Sequence, residues 1–112
     1  MKADTVYLRH ILDAILKIEA YVSVGMGRFM AESQWQDATI RQLEVIGEAT
    51  KQLTEELRLK HSETPCRRIA GMRDVLIHDY MGVDLNAVWG VTQKDLPKLK
   101  HEVEAILRQS VS

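Results

Sequence analysis

In the stretch Met72-Arg73-Asp74-Val75-Leu76-Ile77-His78-Asp79-Tyr80, a guanidinium, an imidazole and a phenol lie within one or two turns of chain. Arginine is charged at any working pH, and its planar fork offers two parallel donors to two oxygens of one phosphate. Histidine both takes and gives a proton near neutrality. Arg73 and His78 together hold the chemistry needed to cleave a phosphodiester without a metal ion. No His/Cys/carboxylate cluster elsewhere has metal-ligand spacing. No glycine-rich phosphate loop or serine nucleophile elbow occurs either, so neither a metal nor a cofactor is expected. His10, His61 and His101 stand alone and are expected on the surface.

Geometry limits how the pair can work. Five residues of regular helix set Arg73 and His78 about 140° apart around the axis and about 7.5 Å apart along it. One straight helix therefore does not close both groups on one phosphate, whereas Arg73 and Tyr80 share a face. Either the helix unwinds near His78 or a second subunit completes the site. Plainer roles compete with the chemical ones. Arg73 also suits a salt bridge to Asp74, Asp79, Glu44 or Glu48. His78 suits an imidazolium at a helix C-terminus, favoured by the helix dipole, and Tyr80 suits a core ring with its hydroxyl at the rim. Arg67 and Arg68 add local positive charge that serves RNA or simply a solvated face. Glu44 and Glu48, one turn apart beside Gly47, either reach Arg73 from a neighbouring helix or form a solvated pair.

These side chains require a helical frame. The 112 residues suffice for one domain, residues 1–112, with its own core. Aliphatic residues are plentiful and aromatic ones scarce, which favours a helical bundle over a sheet sandwich. Asp4 or Thr5 is expected to cap a first helix to about Val24, with Leu8, Ile11, Ile15, Ile18 and Val22 as its apolar stripe. Gly25-Met26-Gly27 ends it in a left-handed cap, and Arg28–Ala31 forms a short turn. A second long helix is expected from Gln34 to Lys60, with Trp35, Leu43, Ile46, Leu53 and Leu57 inward. A break at Ser62–Pro65 precedes the motif helix, which Gly82 ends. Asp84 caps a short helix through Val88-Trp89, and Thr92 a last one to about Gln109, carrying Leu96, Leu99, Val103 and Ile106, with Pro97 in its first turn. The architecture expected is all-α: an up-down bundle of four main helices with additional short ones. Net charge is -1, so long-range steering to nucleic acid is weak and RNA contacts must be local. The single cysteine, Cys66, excludes an internal disulfide and suits a reducing cytoplasm. There is no signal-peptide pattern, and no run reaches the roughly 18 apolar residues of a membrane-spanning helix.

The Arg73…His78-x-Tyr80 pattern resembles the signature of the HEPN superfamily, and more narrowly of its HepT branch. Asp37-Ala38-Thr39-Ile40-Arg41-Gln42-Leu43-Glu44-Val45-Ile46-Gly47-Glu48-Ala49 is similar to that family's second block, and Arg67-Arg68-Ile69-Ala70-Gly71-Met72 to the lead-in of its motif. Asp84, Val88-Trp89 and Asp95-Leu96-Pro97 resemble its C-terminal block. The resemblance implies a two-fold homodimer with both motifs facing one cleft, in which Arg73 and His78 are catalytic in RNA cleavage. Asp74, Glu44 and Glu48 would support them, and Arg67 and Arg68 would meet RNA. It also implies a toxin–antitoxin pair whose antitoxin, a minimal nucleotidyltransferase, silences the toxin by adding AMP to Tyr80. A non-catalytic interaction module, bound and modified by the same partner, is the alternative. Asp74 stands where relatives often carry asparagine, and Cys66 where tryptophan is expected.

Overall fold

Helix α1 spans Lys2–Val22, and its 3-4 spaced stripe goes inward: Leu8, Ile11, Ile15 and Ile18 are each at most 2% exposed. Burying a side chain of this size contributes about 1.5–3 kcal/mol, so the stripe fixes which face of α1 meets the rest. Val22, expected in the same stripe, is only half-buried against the core. The computed structural model describes residues 2–60 and 84–111, and every regular element among them is helical. These are α1, α2 (Met26–Ala31), α3 (Ser33–Lys51), α4 (Glu55–Lys60), α5 (Leu85–Gly90) and α6 (Leu96–Val111). The expectation of an all-α bundle is met. The expected motif helix after Pro65 and its stop at Gly82 lie outside the described residues.

Asp4 does not cap α1. The helix begins at Lys2, and the buried Asp4 carboxylate instead accepts from the Thr54 backbone N–H and from its hydroxyl, both at 2.8 Å. This tie also explains why the expected Gln34–Lys60 helix is two helices. The last turn of α3 tightens, with Gln52 N–H donating to Ala49 O and Leu53 N–H to Thr50 O, each three residues back. Thr54 then starts α4, its hydroxyl accepting from Leu57 N–H at 3.3 Å. Leu53 and Leu57 are still buried on either side of the break. Because the start of α1 meets the end of α3, the two helices run antiparallel.

Gly25 departs from the expected left-handed cap. Its φ of 95° is positive, but its ψ of 158° is extended, a conformation open in practice only to glycine. Beyond it, Phe29 of α2 is fully buried and packs on Trp89 of α5 with ring centroids 5.2 Å apart. The Gln36 amide donates to Phe29 O and Met30 O, satisfying carbonyls that the end of α2 leaves without helical partners. Arg28 and Glu32 form a bidentate pair at 2.9 and 3.0 Å, and Trp35 Nε1 donates to the same carboxylate at 2.8 Å. Hydrogen bonds first from Arg28 and then from Trp35 hold the Glu32 carboxyl below its ordinary range.

The C-terminal half keeps one expectation and alters another. Asp84 Oδ1 accepts from Asn86 and Ala87 N–H and caps α5 as expected. Thr92 caps nothing. The chain continues from α5 through a widened π turn, Val91–Asp95, directly into α6, and Leu96 N–H bonds to Val91 O five residues back. Thr92 spends its hydroxyl on Trp89 O at 2.6 Å. Pro97 supplies the physical reason: inside a helix its ring clashes with the carbonyl four residues back, and that residue, Gln93, sits in the widened turn. Leu96, Leu99, Val103 and Ile106 are buried along α6 as their spacing requires.

Candidate functional site

Helical spacing on α3 puts Arg41, Glu44, Glu48 and Gln52 on one polar edge, each three or four residues from the next. Opposite them on the antiparallel α1, Tyr7 and His10 stand one turn apart. The six side chains border a cleft of about 330 Å³, with Val45 and Ala49 supplying its apolar lining. The Tyr7 and His10 rings meet edge to face, with centroids 6.2 Å apart and planes at 89°.

Arg41 and Glu44 on this edge are loosely paired. Arg41 Nη1 lies 3.9 Å from Glu44 Oε2, with the two side chains 74% and 28% exposed. That separation exceeds a charge-assisted hydrogen bond, about 2.7–2.9 Å, so the Arg41 fork is not committed to Glu44 as Arg28 is to Glu32. The cleft thus offers a donor-only fork and an acceptor-only carboxylate within one turn of α3, and aromatic side chains on the facing helix.

Of the residues singled out in the sequence, Glu44 and Glu48 are therefore brought together on the rim of one cleft. Arg67, Arg68, Arg73, Asp74, His78 and Tyr80 lie outside the described residues. The sequence singles out neither Tyr7, Arg41 nor Gln52 for this site, and His10 is expected only on the surface, which its exposure bears out. The 3-4 recurrence of polar residues from Arg41 to Gln52 was the available signal on α3. Nothing local pairs Tyr7 and His10 with it. Among the described residues, no group of three or more His, Cys, Asp or Glu side chains is placed to hold a metal ion. Nor is any helix there long and apolar enough to cross a membrane.

Residues 11–106 match the family model described as Ribonuclease HepT-like. A Methanocaldococcus jannaschii protein named "Gamma-glutamylcyclotransferase and putative RNase" is 45% identical over 111 residues, covering 97% of this chain and 50% of that one. The chain thus spans half the length of that relative. A "Putative RNase" from Caldanaerobacter subterraneus subsp. tengcongensis is 41% identical over 110 residues, covering 97% of this chain and 98% of its own. A "Probable ribonuclease HepT" from Thermococcus cleftensis is 40% identical over 101 residues, covering 89% of this chain and 92% of its own. No solved structure matches the chain significantly.

Proposed function

This chain belongs to the ribonuclease HepT-like family, and we propose that it is a metal-independent RNA endonuclease acting in the cytoplasm. The observation that carries this reading is that the family match, residues 11–106, spans Arg73, His78 and Tyr80. Those three side chains have the charge and proton chemistry that phosphodiester cleavage requires. In the proposed reaction the RNA 2′-oxygen bonds to the adjacent phosphorus and the bond to the 5′-oxygen breaks. The products are a 2′,3′-cyclic phosphate and a 5′-hydroxyl. His78 takes the 2′-hydroxyl proton or returns one to the leaving oxygen, and Arg73 stabilises charge on the non-bridging oxygens. A general acid–base group is worth about 10²–10⁴ in rate, and an oxyanion donor about 10²–10³.

The one-domain chain works as a homodimer in this reading, as the family resemblance implies; the 140° separation expected of Arg73 and His78 excludes only a site on one straight helix. Asp74, Glu44 and Glu48 orient the arginine, and Arg67 and Arg68 meet the RNA backbone. The partner is a minimal nucleotidyltransferase antitoxin that adds AMP to Tyr80. The added phosphate places negative charge and bulk beside Arg73 and fills the anion site. A second reading, a non-catalytic module that binds the same partner, is favoured by the net charge of -1 and by the acid Asp74 next to Arg73.

The test compares one RNA with DNA of the same sequence, both in EDTA, using protein shown by intact mass to be unmodified. Cutting of RNA alone, with cyclic-phosphate ends, is expected. Cutting of both would refute 2′-hydroxyl attack, and cutting of neither would favour the non-catalytic module.

A further inference from the structure

We infer that the cleft between α1 and α3 is a subsite that reads a guanine base. The inference rests on the ribonuclease reading only for the source of the base, an RNA strand. Its physical content lies in the Arg41–Glu44 pair. The two groups stand side by side at 3.9 Å without closing on each other, although Arg28 and Glu32 of the same chain close to 2.9 Å.

Arginine is a donor only, and an ionised glutamate is an acceptor only. A ligand that satisfies both at once must present two acceptors next to two donors along a continuous edge. Guanine does so: N7 and O6 accept, and the neighbouring N1–H and N2–H₂ donate. Arg41 takes the first pair of atoms and Glu44 the second, which leaves Asp74 and Glu48 to orient Arg73 when a base is bound. Because O6 and N1 are neighbours on the base, their protein partners must also be near neighbours, as these two are.

The other bases fit less well. Adenine puts its N6 amino group where guanine has O6, and an unprotonated N1 where guanine has N1–H. It therefore sets a donor against Arg41 and an acceptor against Glu44. Cytosine fails in the same sense. Uracil offers one acceptor and one donor in the right order, half of what guanine supplies. Half-buried Tyr7 and exposed His10 border the same cleft from the facing helix. The cleft volume, about 330 Å³, lies at the small end of ligand pockets, roughly 300–1,000 Å³. It suits one nucleotide rather than a longer stretch.

The experiment titrates the full-length protein with 5′-GMP, 5′-UMP, 5′-AMP and inorganic phosphate, followed by calorimetry. 5′-GMP should bind about 10-fold or more tightly than 5′-AMP, with 5′-UMP between them, as expected for one good bidentate contact. Glu44→Gln and Arg41→Met should each weaken 5′-GMP about 10-fold without changing the circular dichroism, since neither side chain is in the core. Equal binding of the purine nucleotides, no binding of 5′-GMP at millimolar concentration, or displacement by phosphate alone would each overturn the inference. RNA cleavage scored in parallel separates the two claims. Cutting without 5′-GMP binding sinks the subsite alone, and 5′-GMP binding without cutting sinks the nuclease alone.

Discussion

Asp4 near the start of α1 and Glu19 near its end each accept hydrogen bonds from residues far along the chain, but in opposite surroundings. Asp4 is 1% exposed and takes two bonds from Thr54. Glu19 meets Lys100 Nζ at 3.0 Å with side chains 47% and 28% exposed. The distances are close to equal, so distance does not rank the two ties. Water does. A buried carboxylate that loses its donors, or a donor that loses the carboxylate, has no ready substitute, whereas an exposed ion pair trades partners with solvent at little net change. Asp4 is therefore the tie that holds α1 to the α3–α4 corner, and Lys100 an accessory at the other end.

Asp4→Ala should destabilise by about 1.5–3 kcal/mol, the range for hydrogen bonds to a charged group, read from urea unfolding. A loss no larger than that of Lys100→Ala would break the comparison. Gly25→Ala, next to the exit of α1, should cost about 1–3 kcal/mol through backbone strain alone, because nothing lies within 4 Å of where the new Cβ would go. Adding that variant to Asp4→Ala should give an additive loss, since the two act at opposite ends of the helix. Lys100→Ala should change stability by only about 0–1 kcal/mol, and even that should vanish at about 1 M salt, where screening acts over roughly 3 Å.

The smallest effect concerns pH. The Arg28 and Trp35 hydrogen bonds lower the Glu32 carboxyl pKa in the folded state. Its contribution is therefore present above the ordinary carboxylate pKa and lost as pH falls through the depressed value. Glu32→Gln should lower the neutral plateau of the stability–pH curve slightly and leave its acid end nearly unchanged, so that the acid limb flattens. A steeper acid limb in that variant would contradict the sign.

The frame was legible wherever local spacing decides it. Leu8 to Ile18 and Leu96 to Ile106 announce the buried faces of α1 and α6, and Asp84 announces its cap. The break at Thr54 was not legible, because Leu53 and Leu57 continue the apolar rhythm across it and its stabilising partner, Asp4, is 50 residues away. Thr92 looked like a cap because threonine favours caps, but the demand of Pro97 for a widened turn outweighed that preference. Half of the cleft could be read from Glu44 and Glu48. The other half, Tyr7 and His10, is put there by antiparallel packing, which no local pattern encodes. The Arg73…His78-x-Tyr80 motif lies outside the described residues, so its support is the family match across residues 11–106.

The most direct measurement is cleavage of a mixed RNA pool in EDTA by the purified protein and by His78→Ala prepared identically, with Tyr80 shown by intact mass to be unmodified. Cutting by the parent, reduced about 10²-fold or more in the variant, is the predicted result. Equal cutting by both would contradict the assignment of His78, and no cutting by either would contradict the nuclease itself.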